Sequence, residues 1–385
     1  MMIHRMFKSV AAAAILMLVA VACGDDEVAT TQAPTTQAPT TQAPTTTAAS
    51  MPGEGLRMAW IYDGGIVGGW GQGHDRARQY VEEHLPGIET VNVEQILPGQ
   101  PGQAAMAELA EDGYDIVILT SFFQPDILEV APQYPDTVFL HWGGYENTEN
   151  SAAFDIASEE GRYVDGMIAG AMTETNVIGA VLGFPLEGVV KHLNGFALGV
   201  QEVNPDAKII AIFTNSWFDP PKEQQAGEAF VAAGADVLVS NLNSPAMAQV
   251  ATAEDRWYLG YGEDESALAP DHWVTSFTYE WGPYYVSVAE SVRDGTFEPH
   301  FFYGGLADGV MGLSKFHSDI PQDVLDRALE RRQQIIDGEF DIFAGPVVDN
   351  EGNTQIAEGA TIPMGERVLC CTWLAQNIEG EIAES

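Results

Sequence analysis

From Leu56 onward the chain alternates short apolar runs with segments of helical periodicity, and this pattern restricts the fold more than any single motif. Ile116–Thr120, Val177–Val181, Ile209–Phe213 and Val237–Ser240 show none of the every-other-residue alternation of a half-exposed sheet. Continuous apolarity means burial on both faces, the condition of a parallel strand covered by helices. Further strands are expected at Leu56–Tyr62, Glu89–Val93, Val138–His141, Trp257–Gly260 and His272–Tyr279. Helices are expected at His74–Glu83, Gln103–Glu111, Asp126–Tyr134, Glu159–Thr173, Leu186–Gln201, Pro221–Ala233, Ala246–Glu254, Gly282–Arg293 and Pro321–Asp337. The strand–helix cycle runs twice, which predicts an α/β protein of two doubly wound lobes with a ligand cleft between them. A chain of 385 residues, 46% of them hydrophobic, can fill a core in each lobe.

The first 55 residues do not belong to that pattern. Arg5 and Lys8 precede an uncharged apolar stretch, Val10 to Ala22, followed by Cys23. Thirteen apolar residues are too few for a membrane span, which needs about 20, so residues 1–22 read as an export signal. Ala20-Val21-Ala22 before Cys23 is similar to a bacterial lipobox, which predicts Cys23 as a lipidated first residue. Three copies of Thr-Thr-Gln-Ala-Pro follow, with no large apolar side chain among them. Such a segment has no core to form, so residues 23–55 are expected to be an extended tether, with contact to the membrane through the lipid anchor only, on the extracytoplasmic face.

Charge excludes one class of partner. Sixteen Lys and Arg against 56 Asp and Glu give a net charge of −40, with no basic stripe, so nucleic-acid binding is ruled out. The acids are scattered and read as a solubilising surface. Beyond Cys23 the cysteines are Cys370 and Cys371, adjacent and without metal-site spacing; they are expected to pack as small apolar residues. Among catalytic motifs there is no G-x-S-x-G elbow and no H-E-x-x-H, and the glycine-rich run Gly64–Gly73 lacks the P-loop lysine and a dinucleotide fingerprint. Neither a cofactor nor an enzymatic activity is expected.

In open α/β sheets ligands bind beyond the carboxyl ends of the strands, and here those loops are aromatic. Trp70 lies in the glycine-rich run with His74 and Asp75 just after it; Phe122 follows Ile116–Thr120; Trp217 and Phe218 follow Ile209–Phe213; Trp281 follows His272–Tyr279. A single loop tryptophan is usually a lid on its own core. Several on two facing lobes point to a flat ligand held between rings. His74 and Asp75 either orient that ligand or cap a helix, and Asp219, before Pro220-Pro221, reads as a helix cap.

These loops carry a resemblance. Gly69-Trp70 with His74-Asp75, Thr120-Ser121-Phe122, Asn215-Ser216-Trp217-Phe218-Asp219-Pro220, Asn243-Ser244-Pro245, Trp281-Gly282-Pro283-Tyr284-Tyr285 and Phe343-Ala344-Gly345-Pro346 are together similar to the basic membrane protein (BMP) family of lipoproteins. That family includes purine nucleoside receptors of ABC transporters. The resemblance implies a type I periplasmic-binding-protein fold, with one lobe from residues 56–174 and 276–302 and the other from 175–275 and 303–385. It implies a purine base or nucleoside between Trp70 and Trp217, contacts from Asp126, Asn215, Asn243 and Asp264, and ABC permease subunits as partners. Relatives often place Asp after Gly-Tyr, where it holds ribose hydroxyls, but Gly260-Tyr261 is followed here by Gly262. Asn243 also stands where close relatives often have Asp. Free base and nucleoside therefore both stay open, as does a ligand sensor of the same fold coupled to a membrane signalling protein.

Overall fold

The computed structural model describes residues 51–382, so the expected export signal, Cys23 and the repeats lie outside the described residues. The chain runs through β1 (Arg57–Ile61), α1 (Gly68–His84), β2 (Glu89–Val93), α2 (Gln100–Glu111), β3 (Ile116–Phe122), α3 (Gln124–Val130), β4 (Val138–Trp142) and β5 (Ser151–Ile156). It continues with α4 (Ser158–Met172), β6 (Val177–Leu182), α5 (Glu187–Val203), β7 (Lys208–Phe213), α6 (Pro220–Ala232), β8 (Val237–Ser240), α7 (Ala246–Ala253) and β9 (Trp257–Leu259). The last third holds β10 (Phe277–Tyr279), α8 (Gly282–Arg293), β11 (Phe301–Gly304), β12 (Met311–Leu313), α9 (Gln322–Ile336), β13 (Val347–Val348), β14 (Thr354–Ile356) and β15 (Ile378–Glu379).

Two sheets result. The first has the order β11-β5-β4-β3-β1-β2 and the second β15-β7-β6-β8-β9, and every neighbouring pair in both is parallel. Parallel neighbours need crossovers, and the helices supply them while covering both faces. The inner strands are accordingly buried almost throughout; β5 and β8 expose no residue at all.

The chain passes between the sheets three times. It leaves the first after β5, returns after β9 through β10 and α8, adds β11 as the edge strand beside β5, and leaves again through β12, which pairs with β10. Helix α8 packs on α1 of the first lobe. Helix α4, inside the stretch expected for the first lobe, packs instead on α5 and α9. Glycine makes the α4–α5 approach possible, because a Cβ on Gly166 would stand 2.1 Å from the Phe196 carbonyl oxygen.

Sequence and structure differ at three informative places. Helix α1 starts at Gly68, six residues before the expected position, so half the glycine-rich run is helical rather than loop. Strand β5 has no sequence signal, because Ser-Ala-Ala-Phe-Asp-Ile mixes small and acidic residues, although all six are buried. Cys370 and Cys371 are buried as expected but not as free thiols: they form a vicinal disulfide, in a turn that puts Cys371 at φ 89°.

The crossings are lined with buried charge. Glu160 of α4 is 7% exposed and accepts a hydrogen bond from the Leu306 amide at 2.9 Å. Burial, with Glu159 adding repulsion, raises its pKa to about 7. A folded-state pKa above the unfolded value stabilises the fold while the group is protonated, and that stability is lost as pH rises through about 7. Glu160→Gln should therefore gain stability relative to wild type between pH 5 and 8, by up to roughly 3 kcal/mol, since one pKa unit is about 1.4 kcal/mol. Urea denaturation across that range checks this; a pH-independent difference would remove Glu160 as the cause.

Candidate functional site

Between the two sheets lies a cavity of about 590 Å³, within the range of small-molecule sites. Its wall draws on both lobes. From the first come the loop after β1, the start of α1 and the carboxyl ends of β3, β4 and β5; from the second come the start of α5 and the loops after β7, β8 and β9. This is the place that strand polarity predicts for a ligand.

Trp70 is the best-anchored ring in the wall. Its indole Nε1–H donates to the Thr120 carbonyl at 2.8 Å. His74, Trp142, Tyr279 and Trp281 stand edge-on to it, at centroid distances of 4.6, 5.1, 5.1 and 6.2 Å. Edge-to-face contacts of this kind fix a ring's plane. The early start of α1 brings Trp70 here, and its neighbour Gly69 lies so close to the second lobe that a Cβ would fall 1.6 Å from the Tyr261 carbonyl oxygen. Across the cavity Trp217 lies edge-on to Phe184 at 5.2 Å, with the half-exposed Phe218 beside it.

The polar part of the wall is built on charge. Lys191 of α5 is 1% exposed, yet its ammonium has neighbours on three elements. It donates to the Tyr303 hydroxyl at 2.8 Å and lies 3.6 Å from Glu159 and 3.9 Å from Asp155. Trp142 Nε1–H donates to Asp155 Oδ1 at 2.9 Å. Next to Lys191, His192 accepts from Arg162 Nε at 2.7 Å, and the same guanidinium donates to Ser240 O and Asn241 Oδ1, each at 2.7 Å. Burial, reinforced by Arg162, lowers the His192 pKa well below 6.5, so the ring is neutral. Asp63, near the mouth, accepts from Ser121 Oγ at 3.0 Å.

Of the residues singled out in the sequence, Trp70, Trp217, Phe218 and Asn243 line the cavity. The others lie outside its lining. His74 is fully buried behind Trp70, 2.7 Å from the Tyr285 hydroxyl and stacked on Trp281 at 5.5 Å, and burial lowers its pKa to about 3. Trp281 is likewise fully buried, stacked between His74 and Tyr279. Asp75, one position on around the helix, accepts from Arg78, Gln79 and Asn92. Asp126 anchors the start of α2 through the Gly99 amide and Gln103. Phe122 is half exposed at the end of β3, Asn215 occupies a left-handed turn at φ 54°, and Asp264 accepts from the Ser266 amide. Asp219 caps α6 through the Lys222 amide at 3.2 Å.

Residues not anticipated from the sequence complete the site: Trp142, Asp155, Lys191, Tyr261 and Tyr279. Trp142 ends β4 one residue beyond the strand expected there, and Asp155 sits in β5, which has no sequence signal. Lys191 had a signal, a lysine in the middle of an apolar helix in a chain with only five lysines.

Residues 56–344 match the Bmp family, described as ABC transporter substrate-binding protein PnrA-like. The chain belongs to the Bmp family. It is a solute-binding protein of an ABC transporter, and the family binds substrates rather than transforming them. A purine-binding protein of Brucella abortus is 34% identical over 80% of this chain and 88% of its own length. A putative ABC transporter glucose-binding protein of Haloferax volcanii is 33% identical over 78% and 77%. Among solved structures, an ABC transporter solute-binding protein of Conexibacter woesei covers 74% of this chain and 98% of its own, with TM-score 0.65 at 23% identity, a likeness of fold. In this Bmp protein no helix among the described residues is long and apolar enough to cross a membrane.

Removing the ammonium would leave Asp155 and Glu159 buried without their cation. Lys191→Met should cost about 3–5 kcal/mol of folding free energy, the usual penalty for orphaning a buried charge. Chemical denaturation reads this directly, and a loss below about 1 kcal/mol would mean that the carboxylates find other partners.

Proposed function

We propose that this protein captures a purine, as free base or nucleoside, outside the cytoplasmic membrane and delivers it to the permease of an ABC importer. The observation that carries this reading is that Trp70, from a first-lobe helix, and Trp217, from a second-lobe loop, line one cavity. A flat ligand between two such rings gains about 1–3 kcal/mol per stacked face. The polar wall supplies what a purine edge needs, with carboxylate acceptors at Asp63 and Asp155 and a donor at Lys191. The purine-binding relative from Brucella abortus supports the same ligand class. Capture proceeds by closure of the lobes about the three crossing segments. On this reading Cys23 carries the lipid anchor and residues 23–55 hold the binding body near the membrane.

The relative described as glucose-binding sets the competing ligand. Calorimetric titration of the purified protein with adenine, hypoxanthine, adenosine, inosine and D-glucose separates the two. Binding of at least one purine at micromolar or tighter Kd is expected, with Trp70→Ala and Trp217→Ala each weakening it roughly tenfold or more. Glucose binding without purine binding, or unchanged purine affinity in both variants, would overturn the reading.

A further inference from the structure

The cavity contains a carboxylate oxygen that the protein itself leaves unused. Asp155 is 7% exposed at the end of β5, and both hydrogen bonds to its side chain fall on one oxygen: Oδ1 accepts from Trp142 Nε1 at 2.9 Å and from the Ile156 amide at 2.8 Å. Among the described residues no hydrogen bond reaches Oδ2. Its nearest cation, the Lys191 ammonium, stands 3.9 Å away, beyond hydrogen-bond reach. Both residues line the cavity. Oδ2 opens onto the cavity, where closing a ligand over a carboxylate oxygen without giving it a donor is costly, and the indole and backbone N–H groups that grip Oδ1 hold the side chain in that orientation.

We infer that Asp155 and Lys191 form a fixed acceptor–donor pair that reads adjacent donor and acceptor atoms on one edge of the ligand, with Trp142 as the positioning residue that aims the carboxylate. This rests on the purine reading above and deepens it. Oδ2 takes an N–H of the ligand, and the ammonium, already donating to the Tyr303 hydroxyl and, at 3.4 Å, to the Ile156 carbonyl, gives its third N–H to the neighbouring ligand acceptor. Adenine offers such an edge through its amino group and N1, and hypoxanthine through N1–H and its carbonyl. Unsubstituted purine is as flat and stacks as well, but offers ring acceptors alone on that edge. A site built this way discriminates by chemistry, because a ligand without the donor leaves Oδ2 buried and unpaired.

Titration of the wild-type protein and three variants with adenine, hypoxanthine and purine tests this. Wild type should prefer the better of adenine and hypoxanthine over purine by roughly tenfold or more, the size expected of a hydrogen bond to a buried charge. Asp155→Asn keeps the shape and the Oδ1 bonds but puts an NH2 group where the free acceptor was, so the preference should fall to within about threefold. Trp142→Phe should reduce the preference in the same direction through a carboxylate no longer held, and it serves as a second reading should Asp155→Asn fold poorly in a thermal melt. Trp217→Ala should weaken all three ligands and leave the preference unchanged. Wild-type purine-class binding with the same preference in Asp155→Asn and Trp142→Phe would overturn this inference alone. No binding of any of the three by wild type would overturn the purine reading and this inference with it.

Discussion

One buried ammonium ties this structure together. Lys191 reaches from a helix of the second lobe to Asp155 at the end of a first-lobe strand, Glu159 at the start of the first crossing segment, and the hydroxyl of Tyr303 on the returning edge strand. A cation with 1% exposure has no water to stabilise it, so these partners must stay in place for the fold to persist. Asp155 is also cavity wall, and Glu159 stands where the chain first crosses between the sheets. The same interaction therefore joins the lobes where the chain crosses between them and sets the charge that a ligand meets.

Around that polar end the site is layered. Trp70 faces the cavity, and behind it His74, Trp281 and Tyr285 form an aromatic shell with no exposure to speak of. The shell gives a ligand nothing directly. It holds the Trp70 ring at one orientation, which a stacking platform requires if it is not to lose its gain to side-chain entropy on binding. His74 fits this setting because burial keeps it neutral: its one hydrogen-bond partner is a phenol, and its ring stacks like any other.

Much of the fold was legible because parallel strands announce themselves. Glu89–Val93, Val237–Ser240 and Gly282–Arg293 coincide with the expected elements residue for residue. Strand β5 did not, since its burial comes from neighbours on both edges and not from its own apolarity. The site was legible at its tryptophans and less so elsewhere. Trp70 and Trp217 come soon after strand ends, where a large aromatic is conspicuous in the sequence, whereas Asp155 and Lys191 are two charges among many until the fold sets them side by side. His74 and Asp75 lie outside the cavity lining because adjacency in sequence to a cavity residue does not survive the turn of a helix: they face the core and the β2 side while Trp70 faces the cavity.

By itself the sequence determined the α/β class, the two cycles, the aromatic loops and the family motifs, because these depend on local periodicity and on residue types at strand ends. Tertiary structure decided which of those loops share a cavity, that two adjacent cysteines are bonded, and that α4 packs with the second lobe. It also decided where charge is buried. A side chain's ionic partners and its exposure are sums over elements far apart in the chain, and no local pattern contains them.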